Sequence, residues 1–460
     1  MIRRSSRWPE RPTRRGVPSA LRIAIVLAGL TLLLFVPTPA TAARSEFFGA
    51  VEGARLEAPD LNAMAAARIR TDRFLLFWGS VQPSQGSFRW AATDRLIGAL
   101  ASRGIRAAPA VWGNPVWVGG GSSTPPTFSA QARQAWQAFL KTAVARYGPG
   151  GAYWGNPYHD RFGAAATALP IQSWEIWNEP NLKGYFAPGP SPGEYARLLK
   201  LSHDAVKSRD PRAQIVLAGL ASYGDMTAWD FLNRLYSVPG IKQSFDVAAL
   251  HPYARNVDNV RLATARFRAV ITNHDDRATP LWINELGWGS APPDQFGLNN
   301  GPYGQRQMLI DFYNMILSRR NAWNVQRLFW YRWRDDPDDP TPSCSFCASA
   351  GLLRSDHSPK PAYFALKSFS AETTPPHATI TSGPAEGSTT SDSTPTFSFS
   401  SDELGSTFVC RFGAGPYLPC SSPFTRGSPL PDGPHTFSVK AIDAAGNESD
   451  PVSRSFTVTT

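Results

Sequence analysis

Two glutamates stand where the sequence predicts the ends of buried strands. Glu179 follows the mostly apolar run 174–178 and precedes Pro180, which cannot continue the hydrogen-bond ladder of a strand. Glu285 follows the run 281–284 in the same way. Two carboxyl groups that a fold brings close together acquire different pKa values, so that one keeps its proton while the other is ionised. Such a pair can supply a general acid and a nucleophile.

The chain between residues 46 and 370 alternates short apolar runs with longer amphipathic stretches, as expected for repeated strand–helix units. The predicted strands are 47–51, 73–78, 105–112, 171–178, 214–218, 245–251, 280–285 and 327–333. The predicted helices include 92–103, 130–147, 194–208, 257–273, 303–319 and 361–369. This pattern predicts an α/β fold, a (β/α)8 TIM barrel over residues 46–370. A doubly wound open sheet is the alternative, disfavoured because no Gly-x-Gly-x-x-Gly motif follows the first strand.

Active sites of such barrels lie at the C-terminal ends of the strands. If Glu179 and Glu285 end the fourth and seventh strands, their carboxyl groups face one another across this mouth. Cleavage of a glycosidic bond with retention needs two carboxyl groups about 5–5.5 Å apart, one to protonate the leaving oxygen and one to attack the anomeric carbon. The alternative is that the two glutamates are unrelated strand ends, for instance paired with arginines.

Residues 46–370 resemble the clan A glycoside hydrolases, with families 5 and 39 nearest in pattern. The resemblance rests on the segments 171–180 and 281–287, which are similar to the fourth-strand and seventh-strand motifs of the clan. It implies that Glu179 is the acid/base, that Glu285 is the nucleophile and that Asn178 binds the 2-hydroxyl of the sugar. Asn284 departs from the pattern, since many members of these families have Thr before the nucleophile.

The resemblance extends to four further residues in the same order along the chain. It implies that Arg73 steadies the nucleophile, that His251 lies in the cleft and that Tyr253 donates a hydrogen bond to the nucleophile. A Trp platform for the sugar is implied at the end of the eighth strand, and we take Trp333 for this role. Structural alternatives remain for Arg73, as a surface ion pair, and for His251, as a satisfied histidine under a loop. No metal ion and no organic cofactor are expected in the reaction.

The N-terminal residues 1–42 have the pattern of a signal peptide: a basic stretch, a 14-residue apolar run and an Ala40-x-Ala42 cleavage site. The alternative is an uncleaved membrane anchor; no later segment is apolar enough to cross a membrane. Seven arginines and one glutamate in this segment account for +6 of the formal net charge of +10. The remaining charge forms no basic stripe, so no nucleic-acid partner is expected. The predicted location is secreted or associated with the cell envelope.

Beyond residue 370 the composition changes. Residues 371–384 are rich in Thr and Pro, which is typical of a linker. Residues 385–460 contain short β-branched and aromatic runs between turn residues, which predict a small all-β immunoglobulin-like sandwich. Three roles are considered for this region: it contacts glycan, it contacts the cell envelope, or it acts as a spacer.

The chain has four cysteines. In an exported protein, the simplest of their three connectivities pairs Cys344 with Cys347 and Cys410 with Cys420. The sequence thus predicts an exported retaining glycoside hydrolase acting on an oligosaccharide or polysaccharide, with a β-linked bond as the default that the clan implies. Two alternatives stay open: a non-catalytic carbohydrate-binding or envelope scaffold protein, and a transglycosylase using the same site.

Overall fold

The computed structural model describes residues 46–52, 55–292, 294–338 and 344–460. The predicted signal peptide 1–42 and its cleavage site lie outside this part of the chain. Within it, no helix combines the length and the apolar character that a transmembrane span requires.

A curled parallel sheet forms the centre of the first part of the chain. In the described residues it has nine strands: β1 (Phe48–Val51), β2 (Thr71–Phe77), β3 (Arg106–Trp112), β4 (Ser173–Ile176), β5 (Gln214–Leu217), β6 (Leu220–Ala221), β7 (Ala248–His251), β8 (Leu281–Leu286) and β9 (Val325–Tyr331). Their order is β5-β4-β3-β2-β1-β9-β8-β7-β6.

The sheet closes between β5 and β7. Val216 forms a parallel bridge with Val247, and the amide of Leu217 donates to the carbonyl of Val247 at 2.9 Å. The two-residue strand β6 follows β5 and also pairs with β7, so β5 and β6 together occupy one position of the barrel. Eight positions around a closed sheet confirm the predicted (β/α)8 TIM barrel.

Helices follow the strands and cover the barrel. They are α1 (Ala58–Ala66), α2 (Trp78–Val81), α3 (Ala91–Ala101), α4 (Ala130–Tyr147), α5 (Asn156–Phe162), α6 (Pro192–Lys207), α7 (Ala228–Tyr236), α8 (Val257–Asn273), α9 (Gly301–Leu317), α10 (Arg320–Trp323) and α11 (Pro361–Ser370). The start of α6 follows from its sequence: Ser191 accepts a hydrogen bond from the amide of Glu194, and Pro192 takes the first helical position.

The inside of the barrel is filled by a small apolar cluster. Its members come from β1, β5, β7, β8 and β9 and from the turn before β7: Val51, Val216, Val247, Ala249, Trp282 and Phe329. Inward-pointing side chains alternate along each strand, so the next layer toward the C-terminal ends faces the mouth of the barrel. This layer carries the polar residues of the candidate site.

A β-sandwich follows helix α11. Its strands are β10 (Ala378–Ser382), β11 (Ser388–Thr390), β12 (Thr396–Ser401), β13 (Thr407–Phe412), β14 (Leu418–Cys420), β15 (Phe424–Thr425), β16 (Gly433–Ile442) and β17 (Val452–Val458). They form a three-stranded sheet, β10-β12-β15, and a five-stranded sheet, β11-β17-β16-β13-β14. Phe397 stacks on Phe437 between the sheets, with ring centroids 4.2 Å apart. The predicted all-β character of this region is confirmed.

Both predicted disulfides are present. Cys410 and Cys420 join β13 to β14 with Cα atoms 5.8 Å apart, inside the usual range for a disulfide. Cys344 and Cys347, with Cα atoms 5.3 Å apart, close a short loop beyond the end of β9.

Candidate active site

Strand β4 presents Asn178 and Glu179 through an abrupt change of backbone direction. The strand ends at Ile176, and Trp177 and Glu179 then adopt φ angles of 77° and 43°. Residues other than glycine rarely take this left-handed conformation, and surrounding contacts must hold it. Two such contacts are present: the Trp177 indole donates to the carbonyl of Tyr185 at 2.7 Å, and the Glu179 amide donates to the carbonyl of Gly219 at 3.2 Å.

Glu285 reaches the same mouth from β8. Its Oε1 accepts a hydrogen bond of 2.9 Å from the Tyr253 hydroxyl, and its Oε2 accepts one of 2.9 Å from Nη1 of Arg73. A carboxylate oxygen of Glu179 lies within 4.8 Å of one of Glu285. Oxygens this close are compatible with carboxyl groups about 5–5.5 Å apart, the separation at which one of them can act as a nucleophile.

Arg73 projects from β2 into the centre of the site, where it is buried. Its Nε and Nη2 bind the two carboxylate oxygens of Glu175 at 2.7 and 2.9 Å, and Nη2 also donates to Asn178 Oδ1 at 2.9 Å. Glu175 accepts a further bond of 3.0 Å from the amide of Gly219. The planar guanidinium therefore links β2, β4 and β8.

His251 lies between the two candidate catalytic carboxyl groups. Its Nδ1 is 2.8 Å from Oε1 of Glu179, and its Nε2 is 3.7 Å from Oε2 of Glu285. The ring is fully buried, and burial lowers the pKa of His251 to about 4, so the imidazole is neutral at neutral pH. A Cβ at position 219 would overlap the ring, so the site needs glycine there.

Burial also controls the protonation of Glu179. Loss of hydration raises its pKa to about 8; the positive charge of Arg73 opposes this rise, and the negative charge of Glu175 adds to it. Glu179 is therefore protonated at neutral pH, as a general acid must be. Glu285, by contrast, accepts hydrogen bonds from a cation and a phenol, partners that suit an ionised carboxylate.

Two groups of described residues bring three potential metal ligands together. One is Glu179, His251 and Glu285, and the other is Glu372, Glu403 and Asp443. In the first group, Arg73 already supplies a positive charge 2.9 Å from Glu285.

The sequence resembles known proteins only in part. No protein-family model matches it. A beta-xylosidase from Caldicellulosiruptor saccharolyticus is 24% identical over 265 residues, covering 54% of this chain and 47% of the relative. The chain thus matches about half the length of that curated relative.

Several solved structures are similar to this chain in their fold. A family 39 glycoside hydrolase from Bacteroides cellulosilyticus WH2 aligns with a TM-score of 0.55 at 18% identity, covering 90% of this chain and 79% of that one. The barrel of this chain thus shares the fold of that protein. A GH5_18 protein from Streptomyces cattleya, in complex with Manb1-4GlcNAc, aligns with a TM-score of 0.51 at 18% identity, covering 75% and 85%.

A cavity of about 750 Å³ opens above the two glutamates, within the usual size range of ligand sites. Its aromatic lining comes from two strands and several loops: Phe74, Tyr185, Tyr223, Tyr253, Phe296, Tyr331 and Phe346. Of the sequence-predicted residues, Arg73, Asn178, Glu179, Tyr253 and Glu285 line this cavity. His251 lies directly beneath it, against both glutamates.

The structure corrects the placement of Trp333. Its indole is fully buried against Tyr363, with ring centroids 6.0 Å apart, and it is absent from the cavity lining. Strand β9 ends at Tyr331, so the alternation of inward and outward side chains does not continue to position 333. Tyr331 lines the cavity instead.

Glu175 was missed by the sequence reasoning. Its signal was present, because a carboxylate within an apolar buried strand must be paired or neutralised. Its partner, Arg73, is 102 residues away in the sequence, and only the closed barrel brings the two together.

Proposed function

We propose that this chain is an exported retaining glycoside hydrolase, with Glu179 as acid/base and Glu285 as nucleophile. One observation carries the proposal: a protonated carboxyl group and a second carboxylate, supported by hydrogen bonds, have oxygens within 4.8 Å of each other in an aromatic cavity. The fold likeness to family 39 and family 5 proteins supports the same reading.

In the first step, the carboxylate of Glu285 attacks the anomeric carbon while Glu179 gives its proton to the leaving oxygen. The bond between the anomeric carbon and that oxygen breaks, and an ester bond to Glu285 forms. Arg73 and Tyr253 fix the orientation of the attacking carboxylate. We assign binding of the 2-hydroxyl to Asn178, which lies beside Glu179 in the cavity.

In the second step, Glu179 is ionised and takes a proton from water, whose oxygen attacks the anomeric carbon. The ester bond breaks, which releases the sugar with its original configuration and restores both carboxyl groups. Before the first proton transfer the imidazole of His251 is neutral, because burial lowers its pKa to about 4, and it contacts Glu179 at 2.8 Å.

The substrate we propose is a β-linked oligosaccharide or polysaccharide. The cavity volume accommodates a few sugar residues, and tyrosine and phenylalanine rings offer surfaces for the C–H faces of sugars. Because the matched curated relative is named a beta-xylosidase, aryl β-xylosides are the first substrates to try. Contact of the β-sandwich with glycan or envelope is a further expectation.

The test is release of reducing sugar from a panel of β-glycans and aryl β-glycosides by residues 43–460 and by the Glu285→Gln variant. Turnover by the unmodified protein and its loss in the variant support the proposal. Equal background from both, with glycan still bound, favours the non-catalytic binding protein. Products longer than the substrate identify a transglycosylase.

A further inference from the structure

The Cys344–Cys347 disulfide lies in the wall of the cavity that holds both candidate catalytic glutamates. It closes a loop of four residues, and Phe346 lies inside that loop. Both cysteines and Phe346 line the cavity. The disulfide is therefore close to the chemistry, whereas Cys410–Cys420 lies in the β-sandwich.

Phe346 connects this loop to the nucleophile. Its ring packs edge-on against Tyr253, with centroids 5.6 Å apart and an angle of 62° between the rings. The Tyr253 hydroxyl in turn donates 2.9 Å to Oε1 of Glu285. Movement of Phe346 would leave Tyr253 without one of the rings that hold it in place.

Tyr331 provides a second connection. Its hydroxyl lies 3.2 Å from Sγ of Cys347, which carries no proton in a disulfide and can only accept. The Tyr331 ring packs nearly perpendicular to Tyr253, with centroids 6.2 Å apart. Phe346 within the disulfide loop and Tyr331 in contact with it thus both pack against the tyrosine that orients Glu285.

The end of the loop beyond the disulfide is held independently. Ser349 Oγ accepts from the amides of Ser290 and Ala291 at 3.2 and 3.1 Å, and the Ser349 carbonyl accepts from Lys360 at 2.9 Å. The Ser349 amide also donates to the Phe346 carbonyl at 3.1 Å. Breaking the disulfide would therefore leave position 349 in place and loosen chiefly the segment 344–346. The effect on structure should be local.

We propose that the Cys344–Cys347 disulfide is a positioning element for Glu285, acting through Phe346, Tyr331 and Tyr253, so that its reduction slows catalysis. This rests on the proposed function. Reduction adds two electrons and two protons and converts the disulfide to two thiols. Cys344 is partly exposed, so a soluble reductant has access to the bond.

The second disulfide provides a matched control. The pair Cys344→Ser/Cys347→Ser is compared with the pair Cys410→Ser/Cys420→Ser on an aryl β-glycoside that the unmodified protein hydrolyses. We expect kcat to fall about tenfold or more in the first pair, with a smaller change in KM, because displaced catalytic groups cost rate. The second pair should retain kcat.

Reduction is then tested without altering the loop. The Cys410→Ser/Cys420→Ser protein is treated with a phosphine reductant, and titration of free thiols confirms that the remaining disulfide has opened. Its kcat should fall to the level of the first pair and return on reoxidation. If the disulfide only stabilised the fold, opening it would lower the melting temperature and leave kcat unchanged.

Substitution of Phe346 tests the effect of its aromatic ring while the disulfide remains closed. Phe346→Leu should lower kcat with the disulfide intact, and Phe346→Tyr, which keeps the ring, should retain most of the rate. Full kcat in a reduced protein with two titrated thiols would overturn the proposal while leaving the proposed function standing. An unmodified protein that hydrolyses no glycoside would overturn both.

Discussion

Arg73 donates a 2.9 Å hydrogen bond to Glu285, so strand β2 orients the carboxylate carried by strand β8. The same guanidinium binds Glu175 through two nitrogens. Because each of these charges is buried or nearly so, removal of Arg73 would leave carboxylates in a poorly hydrated site without their counter-charge.

Substitution of Arg73 by Met should therefore reduce the free energy of unfolding by about 3–5 kcal/mol, the usual cost of removing one partner of a buried pair. Urea unfolding at pH 7 measures this. The control is Arg261→Met, which breaks an exposed pair with Asp258 and should cost less than about 1 kcal/mol. Equal losses in the two variants would contradict the buried network.

The pH dependence of kcat/KM should reveal the loss of the proton from Glu179. Since its pKa is raised to about 8, kcat/KM should decline above that pH as the general acid loses its proton. With a dinitrophenyl glycoside, whose leaving group needs little protonation, Glu179→Gln should retain measurable activity and lose the alkaline decline. Persistence of the same decline in the variant would assign it to another group.

Glu179 should also make stability depend on pH. Its pKa rises from 4.5 in the unfolded chain to about 8 in the folded protein, so the folded state keeps a proton that the unfolded state has lost. The contribution of Glu179 to the free energy of unfolding is complete below pH 4.5. It declines as the pH rises toward 8, by up to about 1.4 kcal/mol per pH unit. Glu179→Gln, neutral at every pH, should thus gain stability relative to the unmodified protein across this interval. Urea unfolding at pH 5, 6.5 and 8 tests it; a difference independent of pH would contradict the raised pKa.

Substitutions of Tyr331 and Trp333 should distinguish a side chain that lines the cavity from one that packs in the interior. Tyr331→Ala removes a ring from the cavity wall and should lower kcat/KM by about tenfold, in line with loss of one aromatic contact. Trp333→Phe should leave kcat/KM nearly unchanged and reduce the free energy of unfolding by about 1–3 kcal/mol, because it leaves space in a packed interior. A rise in KM for the Trp333 variant would restore the platform role to that residue.

The strands of the barrel could be predicted because those buried on both faces form apolar runs that stand out between amphipathic helices. The run 245–251, for example, contains β7 and ends with it at His251. Strand ends were harder to place. The predicted fourth strand, 171–178, is shortened in the structure to Ser173–Ile176. Its C-terminal end lies at Ile176 because Trp177 takes a left-handed backbone conformation that tertiary contacts maintain.

The sequence by itself determined the barrel and the two candidate catalytic glutamates, since these depend on local patterns along the chain, and it favoured the observed disulfide partners as the simplest of three connectivities. The tertiary structure alone decided the pairing of Arg73 with Glu175, the position of His251 between the glutamates and the choice of Tyr331 over Trp333 in the cavity. Each of these depends on distances between strands far apart in sequence, or on where a strand stops. Local patterns do not encode such distances, because closure of the barrel and burial of each polar group are properties of the whole packed fold.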